Sequence, residues 1–126
     1  MSISSISASG LVASARRIAA SASNIANADT RGRRGADTAY APVEVRQIDA
    51  PGGGVSTIAG LRQPSSYPLY APDRANADDA GLVDAPNVDF ATEHVEQVKA
   101  EAAYRASASV FRTGDELDRA LLDLKA

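Results

Sequence analysis

The sequence predicts a mainly α-helical fold, in which an N-terminal and a C-terminal helix form a coiled coil and enclose a middle segment that is extended or forms a small β-hairpin. Near both ends, apolar residues recur at alternating spacings of three and four, the pattern of a heptad stripe on a helix. All six prolines and the turn sequence Pro-Gly-Gly-Gly lie between these stripes. We therefore divide the chain into an N-terminal helix (1–30), a middle (31–86) and a C-terminal helix (87–126).

The N-terminal stripe is built mostly from small residues, so a partner helix can approach it closely, although the stripe by itself buries little apolar area. Gly10 and the many serines lower the helix propensity of this segment. We expect a helix from about residue 2 to residue 27 that depends on a partner. Its stripe consists of Ala8, Leu11, Ala15, Ile18, Ala22 and Ile25.

The middle segment carries two short candidate strands, residues 43–48 and 54–61, on either side of the turn sequence at 51–54. Alternating valines followed by a glycine-rich turn favour a hairpin. An irregular extended arm fits the same composition.

The C-terminal helix is predicted to begin at Asn87, a plausible N-cap after Pro86, with Asp89 at the positive end of the helix dipole. The segment Thr113-Gly114-Asp115 is expected to interrupt it. A first stripe contains Val88, Ala91, Val95, Val98 and Ala102, and a second, shifted stripe contains Ala103, Ala106, Val110, Leu117, Leu121 and Leu124.

Composition argues against several classes of function. Apolar residues make up 44% of the chain, but alanine supplies much of that and Trp is absent, so a monomer has few large side chains to bury and oligomerisation is favoured. The net charge of −3 favours neither nucleic acid nor an anionic membrane. Neither a membrane-spanning apolar run nor a basic leader is present, so we expect no direct membrane insertion and no cleaved signal peptide.

Residues with catalytic or metal-binding potential are sparse. His94, the sole histidine, is expected to be a solvated helix residue, and the acidic loop around Asp73, Asn76, Asp78 and Asp79 does not match the EF-hand spacing. The glycines at 52–54 lack the Lys-Ser/Thr of a phosphate loop. We predict no enzyme, no metal and no cofactor.

A basic cluster follows the first helix. Arg31, Arg33 and Arg34, together with Arg16 and Arg17, contrast with the acidic surplus of the C-terminal helix. This charge difference could steer helix pairing between subunits, although exposed pairs contribute only about 0.2–1 kcal/mol each. A solvated basic loop explains it equally well.

Two ordered sequence blocks resemble a known family. Residues 23–30, Ser-Asn-Ile-Ala-Asn-Ala-Asp-Thr, with Ser9-Gly10-Leu11 before them, resemble the N-terminal signature of flagellar rod, hook and hook-associated proteins. Residues 70–73, 78–83 and 86–89, followed by Glu93, Tyr104 and Ala106, are similar to the C-terminal block of that family. Their order and the short chain resemble the proximal rod proteins.

This resemblance implies a structural subunit of the bacterial flagellar basal-body rod, with terminal helices coiled together in the tube that transmits torque. It implies a periplasmic location, export through the flagellar type III apparatus, and copies of itself and other rod proteins as partners. The membrane ring, the export gate and the hook–basal-body protein are further candidate partners. The alternative is a soluble helical adaptor or export-associated module that binds axial proteins.

The expected assembly surface combines the stripes with three residues of the family blocks. It consists of Leu11, Ala15, Ile18, Ala22, Asn24, Ile25, Asn27, Val95, Val98, Ala102, Tyr104, Leu117, Leu121 and Leu124.

Overall fold

A computed structural model describes residues 2–124 and shows a long helix near each end of the chain, with β-strands between them. Helix α1 (Ile3–Ala26) and helix α2 (Phe90–Asp123) confirm the two predicted helices and the β-containing middle. The strands are β1 (Gly32–Arg33), β2 (Val43–Asp49), β3 (Val55–Leu61), β4 (Ser66–Tyr70) and β5 (Leu82–Pro86).

Several serines of helix α1 hydrogen-bond through their hydroxyl groups to partners in or next to the helix. The Ser2 side chain caps the N-terminus by accepting the backbone N–H of Ser5. Within the helix, the buried Ser7 donates its hydroxyl to the carbonyl of Ile3, one turn earlier. Polar side chains therefore reach the interior of the molecule, and among residues 2–124 no buried side-chain oxygen or nitrogen lacks a hydrogen-bond partner.

Helix α2 begins two residues later than predicted. Asp89, not Asn87, is the N-cap, and its carboxylate accepts the backbone N–H groups of Ala91 and Thr92. Asn87 is instead held at the end of the sheet, where its backbone N–H donates to Ser65 and its side chain donates to Pro64. The Asn87 prediction was wrong because the carbonyl of Asn87, which would accept the first hydrogen bond of a helix, accepts Nη1 of Arg62 instead.

The predicted interruption at Thr113-Gly114-Asp115 was also wrong, since α2 continues through it to Asp123. Gly114 is buried, and a Cβ at this position would lie 3.3 Å from Cγ2 of Ile3. Here a glycine permits close contact between two helices and does not end one.

The two helices run antiparallel, with Ser21 beside Glu93, Gly10 beside Ser107 and Ile3 beside Gly114. Apart from Glu93, small residues at heptad spacing line this contact, which we call the seam. A Cβ added to Gly10 would lie only 2.7 Å from Oγ of Ser107, so the backbones approach closely. The buried residues of the seam are Ser7, Ser14 and Ser21 on α1, and Glu93, Ala100 and Gly114 on α2.

The middle segment forms two small sheets. Strands β2 and β3 pair antiparallel as the predicted hairpin, with Val43 opposite Leu61 and Asp49 opposite Val55. A second sheet of order β1-β5-β4 was not predicted. Its strands give a weak signal because β1 has two residues and because Pro68 and Pro86 lie within β4 and β5.

The apolar core is small. The buried hydrophobic residues are Ala13 of α1, Val83 and Ala85 of β5, and Ala100 of α2. Three of these four residues are alanines, so burial within one chain contributes little stabilisation. Within residues 2–124, no helix has the length and apolar character needed to cross a membrane.

Candidate assembly surface

A buried polar cluster joins both helices to the hairpin. Asn24, which is 1% exposed, accepts the backbone N–H of Val43 at 2.8 Å with Oδ1 and donates Nδ2 to the carbonyl of Val43 at 2.9 Å. The amide thus replaces a neighbouring strand at the start of β2. Oδ1 also accepts the hydroxyl of Tyr40 at 3.0 Å. We call Asn24, Tyr40, Val43, Arg62 and Glu93 the polar junction.

Glu93 completes the polar junction from α2. Its Oε1 lies 3.1 Å from Nδ2 of Asn24 and 2.7 Å from Nη2 of Arg62, and the residue is only 2% exposed. Arg62 also donates Nη1 to the carbonyl of Asn87. A buried carboxylate requires such partners, because an unpaired charge is costly away from water. The junction therefore fixes the position of the hairpin relative to both helices.

A second ion pair links the helices near the polar junction. Nη2 of Arg17 on α1 lies 2.6 Å from Oε2 of Glu96 on α2, and Lys99 binds the other carboxylate oxygen. The hydrogen bond from Lys99, and then that from Arg17, lowers the pKa of Glu96 below its ordinary value. Charge complementarity between the two ends of the chain thus acts within one subunit.

The predicted α1 stripe lies beside the seam. Leu11, Ile18 and Ile25 are half-buried, whereas Ala15 and Ala22 are exposed. Ala15 and Ala22 follow the seam residues Ser14 and Ser21 by one, which is a rotation of about 100° on a helix, whereas Leu11, Ile18 and Ile25 follow seam residues by four, a rotation of about 40°. Asn24 is used inside the chain, and Asn27 is the C-cap of α1, donating Nδ2 to the carbonyl of Ser23.

The predicted α2 stripe faces away from α1. Val95 and Val98 are 49% and 54% exposed, and each lies two positions from a buried seam residue, about 200° around the helix. Ala102 and Tyr104 are also exposed. The structure therefore leaves these side chains available, and it does not bring them to the α1 stripe.

The end of α2 extends beyond α1. Because Gly114 lies beside Ile3, the residues after Gly114 pass the start of α1. Leu117, Leu121 and Leu124 are 52%, 63% and 84% exposed, and Leu122 is exposed beside them. We call residues 115–124 the overhang. Sequence reasoning missed Leu122 because it falls outside the stripe.

Further apolar side chains that the sequence did not single out are exposed. On the hairpin, Ile48, Ile58 and Leu61 are uncovered, and on α1 the same holds for Ile3, Ile6 and Val12. Isolated exposed apolar residues are ordinary, but a surface with this many large ones beside so small a core is typical of an interaction surface.

The residues with catalytic or metal-binding potential are scattered. His94 is exposed on α2, as expected. Asp78 binds the backbone N–H groups of Ala80 and Leu82, so the acidic loop is a turn. The basic cluster is partly paired, with Arg31 on Asp29, which also binds Arg74, and Arg34 on Asp78. Among the described residues, no three His, Cys, Asp or Glu side chains are grouped to hold a metal ion.

Comparison with known proteins identifies the family. Residues 5–32 match the family model described as flagella basal body rod protein. The chain is 35% identical over 118 residues to the flagellar basal-body rod protein FlgC of Salmonella typhimurium, covering 90% of this chain and 88% of the relative. The chain belongs to the FlgC family of flagellar basal-body rod proteins. It is therefore a structural rod subunit of the flagellar basal body.

Other members of the FlgC family show the same extent of similarity. The protein from Yersinia enterocolitica is 34% identical and the one from Aquifex aeolicus is 30% identical, with 93% and 89% of this chain and 91% and 87% of the relatives covered. The family model ends at residue 32, so it includes Asn24 but not its partners Val43 and Glu93.

Proposed function

We propose that the chain is built into the periplasmic rod by packing its exposed helix faces against adjacent copies of itself and other rod proteins. The proposal extends to the contact residues: Leu11, Ala15, Ile18, Ala22 and Ile25 on α1, and Val95, Val98, Ala102, Tyr104, Leu117, Leu121 and Leu124 on α2. Asn24 and Asn27 support these contacts indirectly by holding the end of α1 in place.

The overhang carries the proposal. Its leucines lie beyond the start of α1, so no residue of α1 is opposite them. They are therefore exposed because of their position, and not because the contact between α1 and α2 is loosely packed. Leu117, Leu121 and Leu124 share one helix face, since spacings of four and three bring side chains together. Burying a leucine contributes roughly 1.5–3 kcal/mol, and such a face supplies that energy only when another subunit covers it.

Coiling of α1 and α2 into a supercoil belongs to the same proposal. Heptad spacing along the seam supports it, because a strict seven-residue repeat keeps two helices in register only when they wind around each other. The buried residues at 7, 14 and 21 follow this repeat on α1.

Export through the flagellar type III apparatus also belongs to the proposal. The small alanine-rich core supports it, because little free energy is needed to keep a chain with so little buried apolar area unfolded before assembly. Contacts with the membrane ring, the export gate and the hook–basal-body protein are proposed on the family resemblance. The proposed role involves no catalytic residue.

The experiment compares two substitutions in the overhang. Leu121→Asp places a charge on the apolar face, whereas Arg119→Asp places a carboxylate two residues earlier, about 200° around the helix, removes no leucine and breaks only the exposed ion pair with Asp115. Each variant replaces the native chain in cells, and hook–basal bodies are purified and analysed by mass spectrometry. We expect Leu121→Asp to be lost from the particles and swimming to stop, while Arg119→Asp is retained.

Two results would contradict the proposal. Normal incorporation of Leu121→Asp would show that the overhang is not an assembly contact. Absence of the native chain from intact particles, with the other rod proteins present, would favour the adaptor.

A further inference from the structure

The two-stranded sheet directs half of its backbone groups outward. At its ends, Arg62 donates its N–H to the carbonyl of Pro42, and Ala50 donates to Gly54. Bonded and non-bonded pairs alternate along an antiparallel ladder. The even-numbered residues of β2 and β3 therefore bind each other, and the odd-numbered residues point their N–H and C=O groups away from the hairpin.

Helix α1 covers these outward groups at one end of each strand. Asn24 binds both backbone groups of Val43, and Oγ of Ser9 accepts the N–H of Val55 at 3.0 Å. Further along, within residues 2–124, the outward N–H groups have no protein acceptor; these are Val45, Gln47 and Asp49 on β2, and Thr57, Ala59 and Leu61 on β3.

The edge of β3 lacks the usual protection of a free strand. Natural edge strands carry charges or prolines that prevent pairing with other chains. Strand β3 reads Val-Ser-Thr-Ile-Ala-Gly-Leu, with neither a charge nor a proline, and Ile58 and Leu61 are 48% and 59% exposed. Strand β2 contains Glu44, Arg46 and Asp49, so two β2 edges would bring charged strands together, whereas the uncharged β3 edge places no like charge opposite them. An uncharged free edge is suited to the addition of another strand.

We propose that the free edge of β3 pairs with the free edge of β2 in an adjacent copy of this chain, so that hairpins of successive subunits form one continuous sheet. This inference rests on the proposed function, because it requires copies side by side in the rod. Both strands have seven residues, so their lengths match.

The ability to repeat from subunit to subunit favours this occupant. The open edges lie on opposite sides of the hairpin, so joining one to the other is a heterologous contact that can repeat from subunit to subunit. Copies in the same orientation then pair antiparallel, because β2 and β3 are already antiparallel. Pairing of β3 with another β3 would instead close a two-fold dimer and stop growth.

Cysteine crosslinking tests the pairing directly, since the chain contains no cysteine. Ile58 on β3 and Arg46 on β2 are even-numbered, so their side chains point away from α1 on the same hairpin face. Two single variants, Ile58→Cys and Arg46→Cys, are co-expressed as full chains, which prevents an intramolecular disulfide. In parallel experiments Glu44→Cys and Ile48→Cys replace Arg46→Cys, so that three alternative alignments of β2 opposite Ile58 of the adjacent copy are tested. Purified basal bodies are oxidised and separated without reductant.

A backbone variant supplies an independent readout. Ala59→Pro removes an outward N–H that the hairpin does not use, whereas Ala59→Ser keeps it. Circular dichroism of both variants verifies that the secondary structure is retained. We expect at least a tenfold loss of Ala59→Pro from basal bodies and normal incorporation of Ala59→Ser.

The expected crosslinking result is a mixed dimer of Ile58→Cys with at least one of the three β2 variants, and no dimer in basal bodies containing a single variant. A dimer of Ile58→Cys with itself would overturn the proposal in favour of two-fold pairing. So would incorporation of every variant, Ala59→Pro included, without any mixed dimer; that result would leave the proposed rod function standing.

Discussion

Asn24 and Glu93 lie 69 residues apart in the chain, yet Nδ2 of Asn24 donates to Oε1 of Glu93 at 3.1 Å, inside the molecule. This contact ties the end of α1 to the start of α2 and, through Val43 and Arg62, to the hairpin. The geometry of the subunit surface depends on it, because the exposed faces of both helices keep their relative positions only if the polar junction is intact.

Replacing Asn24 by Asp is expected to destabilise the subunit strongly. The carboxylate cannot donate to Val43 or Glu93, and it places a second negative charge beside Glu93. Each buried polar group left without its partner costs about 1–3 kcal/mol, so we expect a loss of roughly 3 kcal/mol in the free energy of unfolding. Urea unfolding followed by far-UV circular dichroism measures it.

Asn27→Asp is the matched control. The side chain of Asn27 donates only to Ser23 within its own helix, so a negative charge at this C-terminus should cost about 0.3–1 kcal/mol. Equal losses for the two variants would show that the contacts of Asn24 add nothing beyond a local helix end.

Removing Arg62 is expected to leave Glu93 as a buried charge without its cation. Breaking such a pair from one side costs roughly 3–5 kcal/mol, and the lower end applies because the Arg62 side chain is 24% exposed. Adding Glu93→Gln to Arg62→Ala should recover part of the loss, since a neutral amide needs no counter-charge. The measurement is the unfolding free energy of both single variants and the double variant.

The exposed pair of Arg105 and Glu101 provides the comparison. Its side chains are 76% and 56% exposed, so Arg105→Ala should change the unfolding free energy by no more than about 0.5 kcal/mol. If Arg62→Ala proves equally mild, burial of Glu93 does not make the ion pair necessary.

The sequence was sufficient to predict the two helices and the hairpin, because heptad spacing and the Pro-Gly-Gly-Gly turn are local signals. It did not predict which face of each helix packs inside. Hydrophobicity favoured Leu11 and Ile18 as the residues that pack inside. In the structure, Ser14, Ser21 and Gly114 are buried instead, because their small size permits α1 and α2 to approach closely.

The polar junction could not be predicted for a different reason. Asn24 and Glu93 were singled out only as parts of the two family blocks. Only the three-dimensional arrangement shows that the two side chains meet, and pairs so distant along the chain leave no periodic signal. The second sheet was missed because its prolines resemble loop residues.

Close packing at Gly10 predicts a measurable coupling with Ser107. Alanine is favoured over glycine in a helix by about 1 kcal/mol, but a Cβ at Gly10 would lie 2.7 Å from Oγ of Ser107. We expect Gly10→Ala alone to give little gain or a loss. In a Ser107→Ala background, where that oxygen is absent, the same change should stabilise the chain by about 1 kcal/mol.

A double-mutant cycle of thermal or urea unfolding measures this coupling. Independent effects of the two substitutions would mean that α1 and α2 are not in contact at this level of the seam.

Stability in acid should depend on Glu96. Its pKa is held below its ordinary value of 4.5, first by the hydrogen bond from Lys99 and then by that from Arg17. A lowered pKa in the folded chain stabilises it fully above the ordinary value, and this contribution is lost as the pH falls through the folded value. Because the carboxylate side chain is 38% exposed, solvent screening limits the contribution to a few tenths of a kcal/mol.

Glu96→Gln should therefore lower the unfolding free energy slightly near neutral pH. Between about pH 5 and pH 3, the unfolding free energy of this variant should fall less than that of the native chain. Urea titrations at these two pH values measure the difference. An identical loss in both chains would show that the bridge from Arg17 to Glu96 does not stabilise the packing of α1 on α2.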